Sequence, residues 1–143
     1  MPASRPISWQ AVDQMADVAK RAAVHAYCPY SRFPVGAAVL CGEDGLVVAG
    51  CNVENAAYGP SLCAERNAIG HMVALGRRDL RAVLVYTPTS HPTAPCGTCL
   101  QVIREFASDA QIVCLCDSEA RIDACLSELL PQAFGPKNLG RSR

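Results

Sequence analysis

The amino-acid sequence predicts an α/β fold of three layers, in which a central mixed β-sheet carries helices on both faces. Segments with apolar residues at helical spacing alternate along the chain with short apolar runs that are typical of buried strands. Glycine and proline clusters separate these segments, and the resulting order is α-β-β-α-β-α-β-α. The length of 143 residues is that of one domain, so we expect a single domain over residues 1–143.

The first half of the chain predicts a helix followed by a β-hairpin. Ser8 is a suitable N-cap, and apolar residues recur at helical spacing from there to about Ala26. The runs FPVGAAVLC at 33–41 and LVVAGCNV at 46–53 are typical of strands. GEDG between them supplies the residues of a tight turn, so we expect the two strands to pair antiparallel.

The second half of the chain predicts three more helices and two more strands. Connections between parallel strands are right-handed crossovers, which places the later helices over the faces of the sheet. In chain order the predicted elements are a helix that follows Ser61 and ends near Gly76, a buried strand AVLVYT at 82–87, a helix from about Pro95 to Phe106, a strand QIVCLC at 111–116 and a short helix IDACLSELL at 122–130.

Composition and charge restrict the kind of partner. Half of the residues are apolar, 18% are charged, and thirteen basic residues balance thirteen acidic ones. This balance gives no electrostatic attraction to nucleic acid or to anionic membrane, and it favours a small neutral partner. No apolar run approaches the roughly 20 residues of a membrane span, and the N-terminal residues lack the order of a secretion signal. We therefore expect a cytoplasmic protein with no nucleic-acid or membrane partner.

The nine cysteines fall into two groups. Their odd number and the lack of a secretion signal indicate reduced thiols rather than a disulfide framework. Free cysteine is a small residue that is often buried. Six of the nine lie in apolar stretches and are interpreted as core residues: Cys28, Cys41, Cys51, Cys114, Cys116 and Cys125.

The other three cysteines predict a metal site. Cys96 and Cys99 in PCGTC have the CxxC spacing of two thiolates that share a tetrahedral ion; a redox pair is the alternative, but it leaves CAE at 63–65 unexplained. Cys63 and Cys96 each lie at the start of a helix that follows a predicted strand. Adjacent parallel strands would bring the two helix starts together, and with them the three sulfurs. Three protein ligands favour a catalytic zinc whose fourth position is open to water. The chain's histidines, including His91 before the CxxC, are interpreted as structural or solvent-facing.

Two charged residues, Glu65 and Arg66, follow shortly after Cys63 in CAER. Glu65 falls in the first turn of the predicted helix, where a carboxylate can carry protons at a zinc site; the alternative is an acid placed there by the helix dipole. Three thiolates on one divalent ion leave a net negative charge. Arg66 is expected to offset it, and the alternative is a surface arginine.

The CAER and PCGTC motifs resemble those of the zinc-dependent cytidine deaminases, specifically the short-chain homotetrameric form. The resemblance continues through YSRFPVGAAV at 30–39, GCNVENAAYG at 50–59 and LLPQAFGP at 129–136. Cysteine at position 63, where nucleic-acid deaminases carry histidine, favours the free-nucleoside branch. The resemblance implies one Zn²⁺ per chain and hydrolytic deamination of cytidine and deoxycytidine to uridine and deoxyuridine, a pyrimidine salvage reaction.

The same resemblance implies which residues contact the substrate. Asn52 and Glu54 would hydrogen-bond the ribose hydroxyls, and their spacing of two at a strand end would point both side chains the same way. The other implied positions are Phe33 against the pyrimidine ring, backbone groups near Ala64 and Cys96 beside the base, and Ala56 and Tyr58 from a neighbouring subunit, with Phe134, completing the pocket.

One position departs from the family pattern, and two alternative functions stay open. The family commonly has arginine directly after the second cysteine of PCGxC, where this chain has Leu100, so either charge support or a subunit contact differs. Leu100 and the loop TSHPTAPCG favour a deaminase of a modified cytosine nucleoside, such as a blasticidin-type antibiotic. A non-catalytic zinc-binding interaction domain would need a fourth protein ligand, which only His91 or a further cysteine could supply.

Overall fold

A computed structural model of the chain describes residues 5–141 and shows a five-stranded sheet flanked by helices. No helix in this part of the chain has the length and apolar character needed to cross a bilayer. The elements are α1 (Trp9–Ala23), β1 (Gly36–Cys41), β2 (Leu46–Cys51), α2 (Ala64–Ala74), β3 (Leu80–Tyr86), α3 (Gly97–Phe106), β4 (Gln111–Leu115), β5 (Ile122–Cys125), α4 (Leu126–Leu129) and a 3-10 helix (Pro136–Leu139).

The sheet is mixed, as predicted, with the strand order β2-β1-β3-β4-β5. β1 pairs antiparallel with both β2 and β3, β3 and β4 are parallel, and β5 is antiparallel to β4. Alternate residues of β1 face opposite sides, so Val39 packs with α2 and α3 while Leu40 packs with α1. Helices therefore cover both faces, and the predicted three-layer arrangement is confirmed.

The first helix and the hairpin form where local chemistry predicts them. Ser8 is the N-cap of α1, and its Oγ accepts a hydrogen bond of 3.1 Å from the amide of Ala11. The β1–β2 turn uses Gly42 and Gly45 at φ values of +62° and +74°, in the left-handed region that favours glycine. The predicted cap and the predicted turn residues are both confirmed.

The segment at 122–130 differs from the prediction, because its first half is strand rather than helix. Ile122–Cys125 pairs antiparallel with β4, and only Leu126–Leu129 is helical. The edge of β4 that faces away from β3 presents backbone N–H and C=O groups, and pairing with 122–125 satisfies them. Pairing with the preceding strand, β4, overrides the local helical spacing.

The topology at the predicted metal site also differs in one respect. The strands that precede Cys63 and Cys96 are β2 and β3, and they are not adjacent, because β1 lies between them. Since β1 is antiparallel to both, β2 and β3 run in the same direction and end at the same edge of the sheet. The helices that follow β2 and β3 start close together for this reason. The prediction that the two strands are adjacent was wrong, whereas the prediction that the two helix starts meet is confirmed.

The six cysteines expected in the core divide evenly by burial. All nine cysteines of the chain are free thiols. Cys41, Cys114 and Cys116 are buried, whereas Cys28, Cys51 and Cys125 are half-buried. The first three confirm the interpretation as core residues, and for the other three it was too strong, because Cys28 lies in the loop after α1 and Cys51 and Cys125 are the last residues of β2 and β5.

Candidate active site

Three cysteine sulfurs converge where α2 and α3 begin. Cys63 is the N-cap of α2, Cys96 is the N-cap of α3, and Cys99 lies in the first turn of α3. The Sγ atoms of Cys63 and Cys96 are 3.9 Å apart, and all three Sγ atoms lie within 4.8 Å of one another. A tetrahedral zinc with Zn–S bonds of about 2.3 Å holds its sulfurs about 3.8 Å apart, so the cluster has the dimensions of such a site.

The protein by itself favours the thiolate of Cys63 and disfavours that of Cys99. A hydrogen bond from the Cys99 thiol, with a further contribution from Arg66, lowers the pKa of Cys63 to about 5. The pKa of Cys99 is raised above its usual range, because its proton is held toward Cys63 and because the thiol is buried. Ionising all three thiols therefore requires a cation between them. Thiolate ligands in a tetrahedral arrangement suit Zn²⁺.

The cluster contains no fourth ligand from the described part of the chain. The group of possible metal-binding side chains found within residues 5–141 consists of the three cysteines alone. His91 is exposed, and its Nδ1 lies 3.0 Å from the hydroxyl of the neighbouring Ser90. The closed four-ligand site that a non-catalytic zinc domain needs is thus not formed, whereas an open fourth position is what a catalytic zinc has.

Glu65 lies against the cluster without being one of its ligands. It is in the first turn of α2, only 4% exposed, and its Oε2 is 3.7 Å from the Sγ of Cys99. Burial raises the pKa of this carboxyl above its usual value, and the negative charge at Cys63 raises it further. A carboxyl whose pKa is shifted upward toward neutrality can both accept and return a proton.

Arg66 is the cationic contact of the cluster. Its Nη2 is 3.6 Å from the Sγ of Cys63 and 3.5 Å from the carbonyl oxygen of Ser61. Its Nε is buried and has no hydrogen-bond partner among the described residues. Leu100, at the position where the family commonly has arginine, is 7% exposed and packs into the core cluster. Position 100 therefore offers no positive charge to the thiolates, and Arg66 is the residue that does.

A groove of about 480 Å³ leads to the cluster. It runs between the end of β2 and the start of α3, and Thr98 of the CxxC turn forms part of its wall. Four of its lining residues were not singled out in the sequence, although all four neighbour the recognised motifs along the chain. The complete lining is Asn52, Glu54, Tyr58, Gly59, Ser61, Leu62, Cys63, Arg66 and Thr98, of which Gly59, Ser61, Leu62 and Thr98 are the additions.

The Asn52 side chain holds the segment that carries Phe33. Its Oδ1 accepts a hydrogen bond of 2.8 Å from the amide of Val35, and its Nδ2 donates one of 2.9 Å to the carbonyl oxygen of Phe33. Asn52 is only 8% exposed. Since Nδ2 carries two hydrogens, the side chain keeps one donor for a further partner.

Glu54 binds the same loop nearer its start. Its Oε1 accepts hydrogen bonds of 3.0 Å from the amides of both Tyr30 and Ser31. Hydrogen bonding from Ser31, and then from Tyr30, lowers the pKa of the carboxyl, so Glu54 is ionised at neutral pH. The second carboxylate oxygen remains as an acceptor for a further donor.

The remaining predicted substrate residues lie at different depths. Phe33 is 38% exposed on the loop that Asn52 holds, and Tyr58 is 73% exposed, with its ring edge-on to Tyr30 at 6.2 Å. Ala64 is buried as the first residue of α2, where an amide has no partner within the helix. Phe33, Ala56 and Phe134 do not line the groove described above. Tyr58, which was expected from a neighbouring subunit, lines the groove of its own chain.

Comparison with known proteins assigns a family to this arrangement. The family described as the cytidine and deoxycytidylate deaminase zinc-binding region has a model that matches residues 10–116, which include the three cysteines, Glu65 and Arg66. The chain belongs to the cytidine and deoxycytidylate deaminase family. The cofactor of this deaminase family member is Zn²⁺, and the cluster of Cys63, Cys96 and Cys99 is positioned for the ion.

Individual deaminases resemble the chain over nearly its whole length. The cytidine deaminase of Sporosarcina psychrophila is 43% identical over 129 residues, which are 90% of this chain and 94% of that protein. The cytidine deaminase of Mycobacterium tuberculosis (strain H37Rv) is 42% identical over 125 residues, 87% and 90% of the two chains. The chain is therefore similar to these two deaminases over nearly their whole length.

Solved structures of deaminases share the fold. The crystal structure of the Burkholderia pseudomallei cytidine deaminase is 40% identical, with a TM-score of 0.81, and the match covers 90% of this chain and 100% of that chain. The Mycobacterium tuberculosis cytidine deaminase is 39% identical, with a TM-score of 0.75 and coverage of 91% and 99%. The predicted fold class is confirmed, and the alternative of a non-catalytic zinc-binding domain is rejected.

Proposed function

We propose that this protein is a single-domain zinc-dependent hydrolase, extending over residues 1–143, that deaminates cytidine and deoxycytidine to uridine and deoxyuridine in pyrimidine salvage. The observation that carries the proposal is the cluster of Cys63, Cys96 and Cys99 at the head of a groove, with the buried carboxyl of Glu65 beside it. The names of the relatives, cytidine deaminases over nearly their full length, support the unmodified nucleoside as substrate over an antibiotic.

The chemistry divides between the cofactor and Glu65. Held by Cys63, Cys96 and Cys99, zinc supplies a Lewis acid that lowers the pKa of water toward neutrality. Glu65 takes a proton from the water that attacks C4 of cytosine and gives it to N3. It then takes the proton of the hydroxyl now bound to C4 and delivers it to the amine at C4, which departs as ammonia and leaves the uracil carbonyl. The balance is one nucleoside and one water in, one deaminated nucleoside and one ammonia out.

The groove provides binding groups for both parts of a nucleoside. Glu54 and Asn52 have hydrogen-bonding capacity left for the ribose hydroxyls after holding the 30–35 segment. Phe33 is presented by that segment and offers a ring against which the pyrimidine can stack. Unpaired amides at the start of α2, beginning with Ala64, can orient the carbonyl of the base. Equivalent unpaired amides lie at the start of α3, which follows Cys96.

The active form is proposed to be a homotetramer in the cytoplasm, in which a neighbouring copy closes each groove. Large apolar side chains stand exposed around the groove, and an unpartnered surface of this kind favours association. Ala56, which does not line the groove of its own chain, would reach that of a neighbour, and Phe134 would help to complete the pocket. The exposed residues concerned are Tyr27, Tyr30, Val53, Tyr58 and Leu62. Light scattering on the eluting protein should give four times the chain mass.

The variant Glu65→Gln tests the proposed reaction. Glutamine has the shape of glutamate but cannot shuttle a proton, so zinc content and fold should be kept while kcat falls by about 10²- to 10⁴-fold. Turnover is followed by loss of cytosine absorbance with cytidine, deoxycytidine and, separately, a blasticidin-type antibiotic. Glu119→Gln, at an exposed position, is the matched control and should keep full activity. Near-normal turnover in zinc-loaded Glu65→Gln would refute the mechanism, and activity on the antibiotic alone would refute the substrate.

A further inference from the structure

The backbone of α2 rests directly on strand β2 at Gly50. A Cβ atom at this position would overlap the carbonyl oxygen of Ala64 and the amide nitrogen of Ala68, and it would lie 2.8 Å from the Ala68 Cα. In an α-helix the amide of residue i+4 donates to the carbonyl of residue i, so these two atoms are hydrogen-bond partners in the first turns of α2. The strand therefore fixes the height of the start of this helix above the sheet.

Two side chains of α2 attach to the residues on either side of Gly50. Asn67 Nδ2 donates a hydrogen bond of 2.8 Å to the carbonyl oxygen of Cys51, and Nδ1 of His71 lies 3.4 Å from the carbonyl oxygen of Ala49. Three consecutive residues, the 49–51 segment, thus hold α2 at three points. The helix can neither move toward the sheet nor slide along β2 without breaking one of these contacts.

This attachment bears on the metal site because the three cysteines come from two helices. Cys63 belongs to the start of α2, whereas Cys96 and Cys99 belong to α3, which follows a different strand. The 3.9 Å between the sulfurs of Cys63 and Cys96 is therefore set by how each helix sits on the sheet. A shift of about 1 Å in α2 would move this distance well away from the roughly 3.8 Å of a tetrahedral zinc site.

We propose that Gly50 and Asn67 are positioning residues, which place α2 on β2 so that Cys63 meets the other two cysteines at the spacing that zinc requires. Neither residue is one of the three metal ligands. The inference rests on the proposed function only in that the cluster holds zinc, and it does not depend on which nucleoside is deaminated. It assigns a positioning role to the absence of a side chain at Gly50 and to a half-buried hydrogen bond from Asn67.

Zinc affinity of Gly50→Ala is the direct test, measured without substrate by competition with a chromogenic chelator. The added methyl group lifts the start of α2, and residues that orient metal ligands from outside the ligand set affect affinity about 10- to 100-fold, so we expect a loss of that size. The thiolate absorption bands of the Co²⁺-loaded protein should shift as well. Gly70→Ala is the control in the same helix, because its Cβ would meet nothing within 4 Å, and it should bind zinc normally.

Gly36→Ala separates ligand placement from general destabilisation. Its Cβ would overlap the carbonyl oxygen of Ala19, so it forces α1 away from the opposite face of the sheet. It should lower the free energy of unfolding and yet keep the zinc affinity and Co²⁺ spectrum of the folded protein. An equal loss of affinity in Gly36→Ala and Gly50→Ala would overturn the proposal.

Asn67→Ala decides the question even if Gly50→Ala does not fold. It removes one hydrogen bond and adds no atoms, so the fold should persist and zinc affinity should fall by a few-fold to tenfold. Asn67→Gln, which keeps the amide donor, should recover part of this loss. Wild-type zinc affinity in Asn67→Ala would overturn the role of the 49–51 segment, whatever the Glu65→Gln experiment shows about the reaction.

Discussion

Replacing Arg66 by alanine tests how the charge of the metal site is balanced. Three thiolates on a divalent ion carry one net negative charge, and Arg66 Nη2 lies 3.6 Å from the Sγ of Cys63. Two unit charges at this distance attract by about 1 kcal/mol in water and by about 5 kcal/mol at an effective dielectric constant of about 20. Arg66 is half-buried and lies between these limits, in agreement with the roughly 1.5–3 kcal/mol of a hydrogen bond to a charged group.

This range corresponds to a loss of about 10- to 100-fold in zinc affinity, since each 1.4 kcal/mol or so is a factor of ten. The loss should not be compensated from position 100, because Leu100 is apolar and packs into the core. Affinity is measured at pH 7 by chelator competition on Arg66→Ala, with Arg66→Lys expected to fall between it and the wild type, because lysine keeps the charge but not the planar donor group.

Arg78→Ala is the matched control for this measurement. The guanidinium of Arg78 also lies near α2, but it donates to the backbone carbonyls of Val73 and Arg77 at the far end of the helix. Its removal should leave zinc affinity unchanged. Full zinc affinity in Arg66→Ala would refute the charge argument, and an equal loss in both variants would show that the effect is not electrostatic support of the cluster.

Three further outcomes follow from the structure. Dialysis against a strong chelator should abolish deamination and added Zn²⁺ should restore it, so activity that survives at zero zinc would contradict the assigned cofactor. Arg77→Ala should lower the free energy of unfolding at pH 7, because Arg77 lies 2.8 Å from Asp44 and 2.9 Å from Asp79. Hydrogen bonds from Arg77 lower the pKa of both carboxyls, so this stabilisation is present above the unfolded-state value of about 3.9 and is lost as pH falls through the lower folded values. Urea unfolding at pH 7 and pH 3 should show the difference shrinking, and an equal difference at both pH values would argue against the ion pairs. Ser8→Ala should lower the free energy of unfolding by about 1 kcal/mol through loss of its bond to Ala11, and an unchanged urea midpoint would exclude a capping contribution.

Several parts of the fold could be predicted because their causes are local. The cap at Ser8, the glycines of the β1–β2 turn and the helix that starts after Cys63 each depend on residues within a few positions of one another. The strand at 122–125 could not be predicted in this way. Its reason is the open edge of β4, which only the assembled sheet presents.

The candidate site divides along the same line. The residues of the metal cluster are recognisable from their spacing, because metal ligands and a proton carrier at helix starts have a local signature. They are Cys63, Glu65, Arg66, Cys96 and Cys99. Asn52 and Glu54 were recognised by resemblance, but their hydrogen bonds to the 30–35 segment depend on a contact between a loop and a strand end. Thr98, Gly50 and Asn67 carried no signal of their own.

The sequence by itself therefore determined the chemistry of this protein: three thiols, a carboxyl and a guanidinium, each at the start of a helix, in a chain of balanced charge. Tertiary structure alone decided the distances between them. β1 inserts between β2 and β3, and the backbone of α2 lies on Gly50, so sulfurs from two separate helices stand 3.9 Å apart. Residue type is a local property of the chain, whereas the gap between two helices depends on strand pairing and packing across the whole sheet.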